Sequence, residues 1–246
     1  MRKKIKWFSL KISPNLKINT LLLFFLSFWC FSQNFENATI TYVVSLKPPM
    51  DLTKLKEEAK TNAQLQEVLW LYEDAVDVVS TLKFTKKEAI YSVEDQLKNE
   101  SEKKTNLTYI GAGSEKVYYS DQDELFSAGN SRGENLRIIQ EKKEWELLKD
   151  SKKIGKYTCY KAIQSNSTSK IKPIAWYTLE IPLPFGPKDF GGLPGVILAL
   201  ELDKYVFNTT TITLNSSDFE PIEKPTKGKK ITYAEWREKA KGFFNN

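Results

Sequence analysis

From Trp176 to Leu202 the chain reads WYTLEIPLPFGPKDFGGLPGVILALEL: a strand-like segment, a loop dense in Pro and Gly, then a near-continuous apolar run. Pro/Gly punctuation between apolar segments is common at the ends of sheets, so this stretch commits the chain to a sheet with a rigid connection. Leu193-Pro194-Gly195-Val196 fits a type II turn, with Pro194 fixing one φ and Gly195 supplying the positive φ that must follow. Gly191-Gly192 allows a second sharp bend or a close backbone contact. Phe185, Phe190 and Leu193 then have little freedom. They bury under the sheet as a plug, which is the favoured reading, or stand out as an apolar lip for a ligand or partner.

The rest of the chain extends the sheet. Ala38–Leu46 (ATITYVVSL) is rich in β-branched residues and reads as a first strand, stopped by Pro48-Pro49. Leu52, Leu55, Ala59, Asn62, Leu65, Leu69 and Tyr72 recur at spacings of three and four, which predicts one amphipathic helix from Leu52 to Glu73. The pattern changes near Ala75. From Leu82 onward, short alternating segments follow with turn signals between them: Leu82–Val93 with a bend at Lys86-Lys87, then Lys116–Tyr119, Glu124–Ser127 and Leu136–Gln140. Gln96–Thr105 is charged and poor in apolar residues, which predicts a loop. Trp145–Leu148 and Lys156–Gln164 flank a hairpin closed at Gly155, and Ile174–Ile181 leads into the Pro/Gly loop. Val196–Leu202 and Tyr205–Leu214 form another hairpin around Asp203-Lys204. Thr232 and Glu235 have the spacing of a capping box, with Ile231 and Trp236 as a hydrophobic staple, so a short helix starts there and ends near Gly242. No period of 20 to 50 residues repeats.

The first 32 residues read differently. Arg2, Lys3, Lys4, Lys6, Lys11 and Lys17 precede the apolar run Leu21–Phe31 without a single acid. That run suits a signal peptide and is short of the roughly 20 apolar residues a membrane-spanning helix needs. The expectation is removal of residues 1–32, no transmembrane span after cleavage, and one β-rich domain over 33–246. Of the 37 basic residues, six belong to the leader, leaving 31 against 31 acids. The remaining chain is neutral, and nothing in it suggests a nucleic-acid partner.

His is absent. Ser-His-Asp and Cys-His catalysis and the usual zinc sites therefore drop out. Past the leader Cys159 is the single cysteine, in a strand pattern that reads as a buried, inert thiol. Asp121, Asp123 and Glu124 cluster, yet the sixth and twelfth positions counted from Asp121 are Phe126 and Arg132, where a calcium loop needs Gly and Glu. No metal and no cofactor is expected. Glu180 and Glu201 lie on the two strands flanking the loop; if they converge, a carboxylate-dependent hydrolase is the alternative function. Six Asn-x-Ser/Thr matches, at Asn37, Asn99, Asn106, Asn166, Asn208 and Asn215, read as chance in an Asn- and Ser-rich chain.

The string Gly192-Leu193-Pro194-Gly195-Val196-Ile197 resembles the motif that names the GLPGLI family of secreted bacterial proteins, with Val196 where Leu is usual. Trp176-Tyr177, Ile181-Pro182, Gly186-Pro187 and Tyr157–Cys159 match its context. The resemblance implies an exported protein of a Gram-negative periplasm or cell envelope, and it brings no activity. The fold expected from the patterns is α+β and β-dominated: a curved antiparallel, half-barrel-like sheet, one long amphipathic helix packed on it, and a short C-terminal helix. That arrangement is similar to the half-barrel of periplasmic lipoprotein carriers. The function expected with it is non-catalytic binding or carriage of an apolar ligand or an envelope protein, with the loop residues Trp176, Tyr177, Pro182, Gly186, Pro187 and Gly192 to Ile197 as its candidate site.

Overall fold

The computed structural model describes residues 35–47, 51–73, 75–94 and 106–242. The expected signal peptide, Pro48-Pro49, and all of the loop expected over Gln96–Thr105 lie outside the described residues. Among those described, twelve strands form one sheet: β1 (Asn37–Leu46), β2 (Val78–Thr85), β3 (Ala89–Val93), β4 (Val117–Ser120), β5 (Leu125–Ser131), β6 (Glu134–Ile139), β7 (Trp145–Ile154), β8 (Tyr157–Gln164), β9 (Ile174–Thr178), β10 (Val196–Glu201), β11 (Tyr205–Leu214) and β12 (Lys229–Thr232). Their order is β12-β6-β5-β4-β3-β2-β1-β11-β10-β9-β8-β7, with edges at β12 and β7, so the sheet is not closed into a barrel. Neighbours are antiparallel except β12, which runs parallel to β6. β1 therefore sits mid-sheet, with one meander, β2 to β6, on one side and a second, β11 back to β7, on the other.

Alternation builds the core. In β1 every second residue (Ala38, Ile40, Tyr42, Val44) is fully buried, and Val78, Leu82 and Phe84 of β2 join the same cluster. Short turns fix the register. Between β5 and β6, Arg132 and Gly133 both have positive φ (55° and 87°), the pattern of a two-residue type I′ hairpin. At β10 the ladder opens: β11 pairs only with Ala199 to Glu201. There the Tyr42 hydroxyl donates to the Ile197 carbonyl and the Thr209 hydroxyl to the Leu198 carbonyl, both at 2.6 Å. Side chains thus satisfy carbonyls that the strand partner leaves open.

The single helix expected over Leu52–Glu73 is two helices, α1 (Leu52–Ala59) and α2 (Ala63–Glu73). The reason is Asn62. Its side chain accepts from the N–H of Gln64 (3.0 Å) and of Leu65 (3.3 Å), so it caps a new helix in place of continuing the old one. Lys60 and Thr61 donate back to Glu57 and Glu58, tightening the end of α1. The expected docking on the sheet also changes. Leu55, Ala59 and Leu69 form their own cluster with Leu65 and Val68. The helix that does pack on strands β1, β2 and β11 is a short one, α3 (Leu107–Ala112), which no sequence pattern announced.

The C-terminal helix α4 (Tyr233–Gly242) is as expected. The Thr232 N–H donates to the Glu235 carboxylate at 2.7 Å and the Glu235 N–H to the Thr232 hydroxyl at 3.2 Å, while Ile231 and Trp236 share a cluster with Leu136 and Ile138. No helix among the described residues is long and apolar enough to cross a membrane.

Candidate functional site

The Pro/Gly loop divides into two parts with different duties. Leu193, Val196 and Ile197 are at most 1% exposed and lie in the main core beside Ile181 and Phe185. The Val196 N–H donates to the Ile181 carbonyl and the Ile197 N–H to the Phe185 carbonyl, both at 3.0 Å, so the chain binds its own loop where a free turn was expected. The type II turn is therefore absent. Positive φ belongs to Gly192 (84°), and Gly195 does not have it. Gly195 is needed for another reason: its Cα lies against the Thr178 carbonyl, and a Cβ built there would overlap that oxygen. Pro182 and Pro194 are exposed, Pro187 is buried, and Tyr177 is buried against Tyr160. This half of the loop is a plug.

The other half, Pro184 to Gly192, walls a crevice of about 570 Å³ facing the β3–β6 meander. Its floor includes Leu82, Tyr91, Tyr118 and Phe185. Phe185 packs on Phe84 (ring centroids 5.9 Å apart) and Tyr91 on Tyr118 (5.9 Å), so the floor belongs to the main core. Burial pushes both phenols well above their usual range, so they act as neutral hydroxyls. The Tyr91 hydroxyl is engaged, donating to the Ala112 carbonyl at 2.9 Å.

Charge is arranged in two places around the crevice. On the loop wall, Lys143 and Asp189 form a largely buried ion pair at 2.6 Å, and the Trp145 indole N–H donates to the Gly191 carbonyl at 2.9 Å. Lys188 also lies on this wall. It is half-buried, has a left-handed backbone (φ 56°), and donates from Nζ to the Gly111 carbonyl of α3 at 2.9 Å. Burial lowers its pKa from the usual lysine value, with Lys116 and Lys143 pushing the same way and Asp189 opposing. On the far rim, Asp121 accepts from the N–H of Asp123 (2.9 Å) and Glu124 (2.8 Å) and pairs with Lys224 at 2.8 Å. Partial burial works against its charge, but Lys224 and the two N–H groups outweigh that and hold its pKa at about 2. Glu124 pairs with Lys224 and Lys230. The acidic cluster is thus a braced turn.

The expected acid pair does not form. Glu201 is opposite Ile174 while Val196 is opposite Thr178, which puts Glu180 and Glu201 at opposite ends of the β9–β10 pair, about 20 Å apart along the strands. Each has a local duty: Glu180 accepts from the Thr158 N–H (2.7 Å) and Glu201 from the Trp176 indole (3.1 Å). Trp176, with the Lys152 ammonium 4.2 Å from its ring centroid, lies outside the crevice lining. Burial raises the Cys159 thiol to about 11, the behaviour of an unreactive core residue. No group of three or more His, Cys, Asp or Glu among the described residues is placed to hold a metal. Of the expected site residues, the crevice takes Gly186 and Gly192; Lys188, Asp189, Lys143 and Tyr118 were not singled out by sequence. A lysine in a Gly-Pro-Lys-Asp loop carries no signal of burial.

Residues 164–199 match the model of a family described as a protein of unknown function (Porph_ging). That match starts at the end of β8 and ends inside β10, and so contains the whole loop. No curated protein matches the chain. Among solved structures, PNGF-II in its C2 crystal form is similar at 14% identity and a TM-score of 0.50, over 82% of this chain and 32% of that one. The chain thus spans about a third of the length of PNGF-II, and the likeness concerns the fold alone. The P21 form gives a TM-score of 0.49 at 14% identity, covering 82% of this chain and 32% of that one. An uncharacterized conserved protein from Thermus thermophilus is more distant, at 8% identity and a TM-score of 0.33 over 79% of this chain and 90% of that one.

Proposed function

We propose that this chain is an exported, non-catalytic binding protein of a Gram-negative periplasm or cell envelope, a member of the GLPGLI family, and that its ligand site is the crevice beside the motif loop. The observation that carries the reading is the division of labour within that loop. One half is locked into the core, and the locked half holds the other as a rigid wall over an aromatic floor. Largely pre-formed, mostly apolar clefts with a few fixed polar groups are the usual form of small-molecule sites, and 570 Å³ lies within their ordinary size. The basic leader followed by Leu21–Phe31 supports export. The crevice offers aromatic surface, the half-buried Lys188 ammonium and neutral phenols, which suits holding a ligand better than turning one over.

The half-barrel carrier comparison enters here in altered form. A long helix over the concave face does not exist among the described residues, and α3 is the helix that covers strands near the crevice. Native mass spectrometry of protein taken from its own cell envelope tests the proposal. A small apolar molecule should co-purify, and Leu125→Trp, which fills the crevice from its lining, should lose it at unchanged melting temperature. Protein that carries nothing, or Leu125→Trp that retains the molecule, would overturn the crevice as the site.

A further inference from the structure

We infer that the crevice recognises an amphiphilic anion, a single carboxylate or phosphate on an apolar body, with the Lys188 ammonium as the anion receptor. The inference rests on the crevice being the ligand site and adds the chemistry of what enters it.

Lys188 is held in the wall under constraint. Its left-handed backbone, φ 56°, is unfavourable for a non-glycine residue, so the loop conformation is imposed by its surroundings. One of its three ammonium protons goes to the Gly111 carbonyl at 2.9 Å, in the last turn of α3, where a cation is favoured. Lys188 lines the crevice, and two of its three donors remain for a ligand there. Among the described residues no carboxylate lies within ion-pairing distance of its Nζ; the adjacent Asp189 pairs with Lys143 at 2.6 Å and acts on Lys188 only through its field. A half-buried ammonium without a carboxylate partner is a poor arrangement for stability alone. Capping Gly111 explains one hydrogen bond and needs no charge.

The opposite rim differs in sign and in state. Asp121 and Glu124 are already neutralised by Lys224 and Lys230, and Asp123 is exposed to solvent. The uncompensated charge on the loop wall is therefore positive. It stands 6.0 Å from the centroid of Tyr118, on a floor that continues into Leu82 and Phe185. A ligand that answers both features has an anionic group for Lys188 and an apolar body for the floor. An anion beside the ammonium also opposes the desolvation that now depresses its pKa.

The test titrates the full chain with laurate, dodecyl phosphate, dodecanol, acetate and inorganic phosphate, followed by calorimetry. The twelve-carbon anions should bind at least about tenfold more tightly than dodecanol, the difference one charge-assisted hydrogen bond makes. Acetate and inorganic phosphate should not compete at the same concentrations. Lys188→Met should abolish the preference for the anion and Lys188→Arg should keep it. Laurate against dodecyl phosphate separates a fatty-acid source from a phosphate headgroup. Equal binding of dodecanol and laurate overturns the anion receptor while leaving the crevice as a ligand site. Failure of every dodecyl compound overturns both, and competition by inorganic phosphate overturns the apolar half. If Lys188→Met does not fold, the Lys188 side-chain NMR signal of the unmodified chain decides: it must move on adding laurate, and an unmoved signal overturns the proposal.

Discussion

The motif loop between β9 and β10 and the α1–α2 hairpin are both rich in Leu and aromatic residues, and the fold treats them in opposite ways. Ile181, Leu193, Val196, Ile197 and Leu198 are 0–1% exposed and share one cluster with Phe84 and Tyr157 from other parts of the chain. In the hairpin, Leu55 and Leu69 are buried only with their immediate neighbours, while Trp70 is 58% and Leu71 49% exposed. The loop has almost no regular hydrogen bonding, yet its N–H groups reach carbonyls of the same loop: Gly192 to Pro184, Val196 to Ile181, Ile197 to Phe185. The hairpin has full helical bonding and little tertiary attachment. Regular secondary structure and integration into the core are therefore separate properties, and here the irregular segment is the better anchored one.

The largest expected effect falls in the loop. Gly195→Ala places a methyl group on the Thr178 carbonyl oxygen, and that neighbour is backbone, unable to turn aside. Relief requires β9 and the loop to separate, so the cost should reach about 3 kcal/mol, the upper end for overpacking. Exposed Pro194→Ala is the control and should be mild. Thermal melts check both. If Gly195→Ala melts like the parent, the loop is not fastened to β9 and the contrast with the hairpin collapses.

Leu69→Ala comes next. Leu69 is 6% exposed in a cluster of few members, so truncation should cost about 2 kcal/mol, the low end of the range for a buried Leu. The informative readout is where the loss occurs. Hydrogen exchange should accelerate across α1 and α2 while amides of β10 keep their protection. Loss of protection in β10 as well would show that the hairpin is coupled to the core after all.

These differences mark what the sequence could and could not convey. The strands were legible because period-two burial is written residue by residue, as in Ala38, Ile40, Tyr42 and Val44, and the α4 cap because Thr232 and Glu235 carry it alone. The helix break was not, since Asn62 lies on the same stripe as Leu55 and Leu69, and only its side chain's turn toward Gln64 and Leu65 decides against continuation. α3 escaped because six residues hold too little periodicity, although Asn106, whose side chain accepts from the Thr108 N–H at 3.0 Å, marks its start. Gly195 stands out in the sequence for a reason the structure replaces: Pro-Gly suggests a turn from local sterics, whereas the constraint comes from Thr178, seventeen residues away. The crevice was half legible. Its apolar wall is in the motif, but the burial of Lys188 depends on α3 and could not be read from the loop.

A smaller effect separates the two kinds of glycine in the loop. Gly192 has φ 84° and nothing closer to a built Cβ than the Lys143 carbonyl at 3.8 Å. Gly192→Ala therefore incurs the left-handed penalty without a clash, about 1 kcal/mol. Asn, which tolerates that region better, should cost less. Melts that rank Gly195→Ala above Gly192→Ala, and Gly192→Ala above Gly192→Asn, would establish close approach as the dominant constraint on the motif. The reverse order would return it to backbone conformation.

The smallest expected effect tests the hairpin's open side. Trp70 is a large apolar residue on α2, one position after buried Leu69 and therefore turned about 100° away from it. At 58% exposure it has little transfer free energy left to lose, and Trp70→Ala also gains slightly in helix propensity. The two contributions should leave stability within about 0.5 kcal/mol of the parent, as for most surface positions. Trp145 gives the contrast from the loop side, because its indole N–H is bound to Gly191 and its ring meets Phe190 at 6.4 Å. Trp145→Ala should therefore destabilise where Trp70→Ala does not. Acrylamide should quench the fluorescence lost in Trp70→Ala readily and that lost in Trp145→Ala poorly. A destabilisation above about 1 kcal/mol in Trp70→Ala would mean that this face of α2 is covered, and the hairpin would then be a second anchored element of the fold.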